Sequence, residues 1–231
     1  MDEVEQDRRA ARLAAALRAN LRRRKAQVRG REKTPFDRAR AVLAFWFAVP
    51  GDPEHGRMRR IWFAKDEAFD EEIRQRFLAD YEAAAAGGYD GLAATPSGAL
   101  ALAILLDQFP RNLFRDTARA FATDAKARAL AERAVEAGFD QRLMPVERLF
   151  LYLPFEHSEN LADQHRSVAL IESLPVTPNF AEAARDDVVD YARRHLAIIE
   201  RFGRFPHRNV ALGRTSTPEE LAFLTEPGSA F

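Results

Sequence analysis

Apolar residues along this chain recur in blocks with the three-to-four-residue period of helices, and proline or glycine punctuates the blocks. The block Ala41-Val42-Leu43-Ala44-Phe45-Trp46-Phe47 predicts a buried helix that ends before Pro50-Gly51. Asp66 is placed to cap a helix over residues 67–86, stopped by Gly87-Gly88, with Phe77 and Tyr81 on its inner face. Thr95-Pro96 joins a cap to a proline at the first helical position and predicts a buried helix over residues 97–109, which Pro110 should end. Further helices are predicted over residues 117–137, closed by Gly138, from Pro145 through Leu149, Leu151 and Leu153, and over residues 163–174, 178–202 and 218–224. No segment alternates β-branched and polar residues as a strand does, so the expected fold class is all-α. Helices of this length with short breaks predict stacked antiparallel pairs.

Two corners have related sequences: Phe109-Pro110-Arg111-Asn112 and Phe205-Pro206-His207-Arg208-Asn209. They read as equivalent corners of a degenerate repeat, although no regular self-match runs through the chain.

The first 34 residues differ from the rest. They hold eleven Lys and Arg against five Asp and Glu, whereas the whole chain has 35 of each kind. Residues 8–31 carry ten basic side chains and no acid, with Leu13, Leu17 and Leu21 at helical spacing, so a helix with only a narrow apolar stripe is expected. The predicted organisation is therefore a basic helical extension, 1–34, and one all-α domain, 35–231. The extension reads as a solvated arm; a dock for an acidic surface, nucleic acid included, and a mitochondrial presequence are the alternatives. Nucleic acid is expected to bind only through it.

At 231 residues, 47% hydrophobic and 30% charged, the chain can bury one substantial core. The longest apolar stretches fall short of a membrane span, and the acidic start lacks the order of a secretory signal, so a cytoplasmic protein is expected. The absence of cysteine excludes disulfides, thiolate metal sites and cysteine nucleophiles.

The candidate chemistry lies where charged and amide groups interrupt apolar sequence, because such groups are costly to bury unless they pair or hold a ligand. Asp107, Gln108, Arg111, Asn112 and Arg115 form one such cluster, and Arg204, His207, Arg208 and Asn209 another. Both are expected to bind ligand, with the arginines taking a carboxylate or phosphate. Between them stand Glu156, His157 and Glu159, the candidates for proton transfer; on one continuous helix Glu156, Glu159 and Asp163 would share a face. An internal ion-pair network is the structural alternative for the whole set. Ser158 lacks the setting of a nucleophile. His157, His165, His195 and His207 fit no metal motif, and Gly87, Gly88 and Gly91 fit no phosphate loop, so neither metal nor cofactor is assigned. Trp46, Trp62, Phe45, Phe47 and Phe63 read as core anchors.

Several of these stretches together resemble a bacterial family, domain-of-unknown-function family 924, placed among tetratricopeptide-like all-helical folds. They are residues 42–47, 106–112 with Phe114-Arg115, 121–124, 152–159, Asp163-Gln164, and 201–209 running on through Leu212-Gly213-Arg214. The resemblance covers about residues 36–231 and implies a tetratricopeptide-like helical domain; it brings no activity, substrate or catalytic residues. By analogy with such folds, the first expectation is a module that binds an acidic peptide or anionic group through the arginines. The second is an enzyme or metabolite-binding protein, which requires Glu156, His157, Arg111 and Arg208 to converge on an enclosed pocket.

Overall fold

A computed structural model describes residues 34–229. Among these the regular structure is helical, with one isolated bridge between Thr177 and Phe180 and no strand. The predicted basic extension lies outside the described residues.

Helix α1 (Pro35–Phe47) buries Ala39, Val42 and Trp46, a stripe of helical spacing, and the chain leaves it through Ala48 in a left-handed conformation. Helix α2 (Glu67–Ala85) starts where the Asp66 carboxylate accepts from the Phe69 N–H at 2.9 Å, and ends before Gly87, whose φ is +90°. Helix α3 (Pro96–Ala103), capped by Thr95, is buried from Gly98 onward and forms the centre of the fold. Gly98 is obligatory there, because a Cβ would drive into the Leu92 carbonyl oxygen. An aromatic cluster surrounds this centre: Trp46 stacks on Trp62 at 5.8 Å and meets Phe109 and Phe150 edge-on.

Pro110 does not end this helical run as expected. The chain widens into a π-helical turn, Ile104–Gln108, and continues as α4 (Phe109–Leu113). Proline offers no N–H to the carbonyl of Leu106; the hydroxyl of Thr123 donates to it instead, at 2.5 Å. Thr123 in turn breaks the long helix predicted over residues 117–137 into a 3₁₀ turn, Ala118–Phe121, and α5 (Asp124–Glu136).

Helix α6 (Pro145–Glu156) is buried on nearly all sides. It packs on α7 (Leu161–Glu172), which begins at Asn160 rather than Asp163 because the Asn160 side chain accepts from two backbone N–H groups. Helix α8 (Glu182–Phe202) packs on α7 in turn and stops at Gly203 with φ +67°. It starts later than Pro178, since Thr177 and Phe180 close a tight turn by exchanging backbone hydrogen bonds. The short α9 (Pro218–Phe223) follows behind a capping box of Thr217 and Glu220. The fold is thus all-α, with packed helix pairs.

Candidate functional site

The π turn sets the geometry. It leaves Asp107 fully buried beside the end of α6, where His157 Nδ1 lies 2.8 Å and 3.0 Å from the two carboxylate oxygens. Gln108 Nε2 donates to the same carboxylate at 2.6 Å. Burial opposes ionisation of Asp107, but His157, Arg111 and these hydrogen bonds outweigh it and hold the carboxyl below the usual range. Burial, then the Arg111 charge, pushes His157 down, so at neutral pH it is a neutral imidazole donating Nδ1–H to Asp107. Nε2 is the nitrogen left for chemistry.

One turn on, Arg111 reaches Asp124 at the start of α5 with two parallel hydrogen bonds of 3.0 Å each, and donates to the Asp107 carbonyl at 2.5 Å. The second corner arrives at the same carboxylate: Arg208, in the 3₁₀ turn Pro206–Arg208, meets Asp124 at 3.3 Å. Both guanidiniums lie near the Phe121 ring, Arg208 at 4.7 Å and Arg111 at 5.8 Å. Arg208 is only 6% exposed, and among the described residues its Nε has no hydrogen-bond partner. Burial, then Arg111, lowers its pKa to about 10.

These groups line a cavity of about 290 Å³. Glu156, His157, Gln108, Arg111, Asn112, Arg115, His207 and Arg208 all face it. The remaining candidates do not: Asp107 stands behind His157, and Glu159, Arg204 and Asn209 belong to hydrogen-bonded networks around the site. Glu159 takes a bidentate contact from Arg214, at 2.7 Å and 2.9 Å, and the Phe205 N–H at 2.8 Å. Arg204 pairs with Glu220 at 2.6 Å, and Asn209 donates to Ser216 at 3.0 Å. The expectation that Glu156, Glu159 and Asp163 share a helix face is corrected: α6 ends at Glu156, Asn160 starts a new helix, and the three carboxylates part. Asp163 goes to Arg128 at 2.8 Å.

The two corners are related in three dimensions as well. Each arginine turns to Asp124, and each asparagine donates to a carboxylate that a further arginine holds: Asn112 to Asp70 at 2.7 Å, with Arg115 on Asp70 at 2.8 Å, and Asn209 to Glu220 at 3.3 Å, with Arg204 there.

Residues 42–228 match the model of a family described as a bacterial protein of unknown function, DUF924. The chain belongs to that family. A solved structure of a protein of unknown function from Agrobacterium tumefaciens is 41% identical, with a TM-score of 0.69, over 81% of this chain and 96% of that one. The chain matches no curated protein. Membership in DUF924 thus places the corners and the cavity within a bacterial helical fold and assigns no chemistry to them.

Sequence pattern does not mark Asp124, Tyr191, His195 or the wall of Trp62 and Phe63 as parts of a site. Asp124 looks like an ordinary first-turn acid. His195 shares a buried stripe of α8 with Ala192 and Ile199, and its Nδ1 lies 3.0 Å from the Tyr191 carbonyl and 3.6 Å from Glu156. Trp62 is indeed a core residue, but Phe63 is 54% exposed at the cavity's edge rather than an anchor. Burial drives His195 and His207 down to about 3 and lifts Glu156 to about 8, with Asp107 adding to the last. At neutral pH the cavity therefore presents uncharged imidazoles and a largely uncharged carboxyl beside three arginines, with Lys65 and Asp116 also in its lining. Among the described residues, no group of three or more His, Asp or Glu is arranged to hold a metal ion, and no helix is long and apolar enough to cross a membrane.

Proposed function

We propose that this protein binds a small anionic molecule in the cavity and moves a proton on it. Arg208 and Arg111 hold the anion, and His157, oriented by Asp107, is the acid–base group. The observation that carries this reading is Arg208: a buried guanidinium at a cavity wall that shares the Asp124 carboxylate with a better-placed arginine, its buried Nε unpartnered among the described residues. Buried cations are normally matched by anions and hydrogen bonds, and a carboxylate or phosphate at this wall would complete the match.

The acidic-peptide reading ranks second. Glu156, His157, Arg111 and Arg208 face one recess whose volume, about 290 Å³, suits a compact molecule better than a chain. Titration calorimetry with inorganic phosphate, short dicarboxylates and a peptide ending in acidic residues separates the two. The expected result is binding of a small anion that Arg208→Gln weakens by at least tenfold while the melting point stays within a few degrees. Peptide binding without small-anion binding, or anion binding indifferent to Arg208→Gln, would overturn the proposal.

A further inference from the structure

Beside the polar cavity lies a second one, of about 390 Å³, and the two share Phe63, Leu153, Glu156 and Tyr191 as a common wall. The remainder of the second cavity is mainly apolar: Met58, Leu149, Ala184 and Val188. Of the charged residues at its edge, Arg60 and Asp187 are exposed, and the Arg59 guanidinium is turned to the carbonyls of Phe45 and Trp46 at 3.0 Å and 2.8 Å. Proton transfer on a compact anion requires none of this apolar surface.

Glu156 belongs to both cavities. It is 2% exposed, yet among the described residues its carboxyl takes part in no hydrogen bond, its nearest charged or imidazole neighbour being His195 at 3.6 Å. A buried carboxyl in that position is far cheaper to hold as the uncharged acid. An apolar group laid along this shared wall would then meet no ionised carboxylate. Phe63, half exposed at the lip shared by both, is apolar surface that such a group would cover.

We propose that the ligand is an amphiphilic acid, with its anionic head between Arg111 and Arg208 and an aliphatic or aromatic tail laid over Leu153 and Glu156 into the recess of Met58, Leu149 and Val188. The inference rests on the reading that Arg208 holds an anion, and it adds the chemical class of the rest of the molecule. Either cavity alone is at the lower end of the roughly 300–1,000 Å³ of small-molecule sites; a ligand spanning both is of ordinary size.

The test is titration calorimetry of the full chain at pH 7 with two series, the N-acylglycines from acetyl to decanoyl and the n-alkyl phosphates from ethyl to decyl. Burying a methylene is worth about 0.8 kcal/mol, so Kd should tighten about fourfold per added methylene until the recess is filled. The series that shows this gain identifies the head as carboxylate or phosphate. Ala184→Phe should abolish the chain-length gain while the shortest member still binds, and Val188→Asp should do the same if the added ring disturbs α8. A Kd independent of chain length, with binding still lost in Arg208→Gln, would overturn this inference and leave the anion site standing. An undiminished gain in both tail variants would overturn it as well, and failure of every member to bind would overturn both proposals.

Discussion

The two aromatic-proline corners use the same residues to different ends. At the first, Arg111 is well matched, with two parallel bonds to Asp124, one to the Asp107 carbonyl and the Asp107 carboxylate at 3.4 Å, and it still lines the cavity. At the second, Arg208 is more deeply buried and meets the same Asp124 through a longer contact of 3.3 Å. The first corner is thus mainly a clamp that fixes α4 to α5 and lends one arginine to the cavity, and the second is an incompletely matched charge facing the same cavity. Polar residues inside apolar sequence mark both alike; only the partners around each group separate a brace from a binding site.

Removing the shared anion should have the largest effect. Asp124→Ala leaves two guanidiniums in low-dielectric surroundings and is expected to cost about 3 kcal/mol, read as a fall in melting temperature of roughly 6 to 12 degrees. A loss under about 1 kcal/mol would mean that the corners do not depend on each other. Next, the arginines should separate. Arg111→Lys forfeits the bidentate geometry and is expected to cost about 1–3 kcal/mol of stability. Arg208→Lys should leave the melting point nearly unchanged and remove the stabilisation given by an anionic ligand; equal costs at the two positions would erase the distinction.

The pH dependence tests the environment of the second corner. His195 and His207, with pKa values of about 3 when folded, bind protons more weakly than in the unfolded chain, so stability is lost as pH falls below about 6.5. Glu156, raised to about 8, binds its proton more tightly when folded, so its contribution is complete below about 4.3 and lost as pH rises toward 8. The groups facing it are His195 and Tyr191 from α8, Asp107 from the π turn and His157 next to it; of these, Asp107 stays ionised throughout. The melting point should therefore peak near pH 6.5, and the alkaline fall, on the order of 1–2 kcal/mol, should vanish in Glu156→Gln. An alkaline limb unchanged by that substitution would remove Glu156 as its source. The smallest effects belong to the asparagines: Asn112→Ala and Asn209→Ala should each cost about 1 kcal/mol, and a marked inequality would show that the corners differ beyond their arginines.

Much of the helical layout is legible in the order of residues alone. Asp66, Thr95-Pro96, Gly138 and Pro145 are local signals with local causes, and the helices they bound stand where the pattern puts them. The failures come where a distant residue decides. Pro110 terminates nothing because Thr123, from beyond the next turn, supplies the donor that proline lacks, and the same Thr123 divides the predicted helix over 117–137. Asn160 outcompetes the continuation of α6, so Glu159 and Asp163 go to Arg214 and Arg128. Within the site, composition marks Arg111, Arg208, Glu156 and His157, but Asp124 and His195 matter through what faces them, and that information is tertiary.

The π turn also makes the site a matter of length. A helix rotates about 100° per residue, and Ile104–Gln108 absorbs one residue more than an α-turn of the same rise would. Deleting a single residue there would restore an ordinary helix and swing Arg111 and Asn112 about a quarter-turn round its axis, away from Asp124 and Asp70, with every side chain of the cavity still encoded. Changes in segment length at this position would thus dismantle the cavity wall as surely as replacing its arginines.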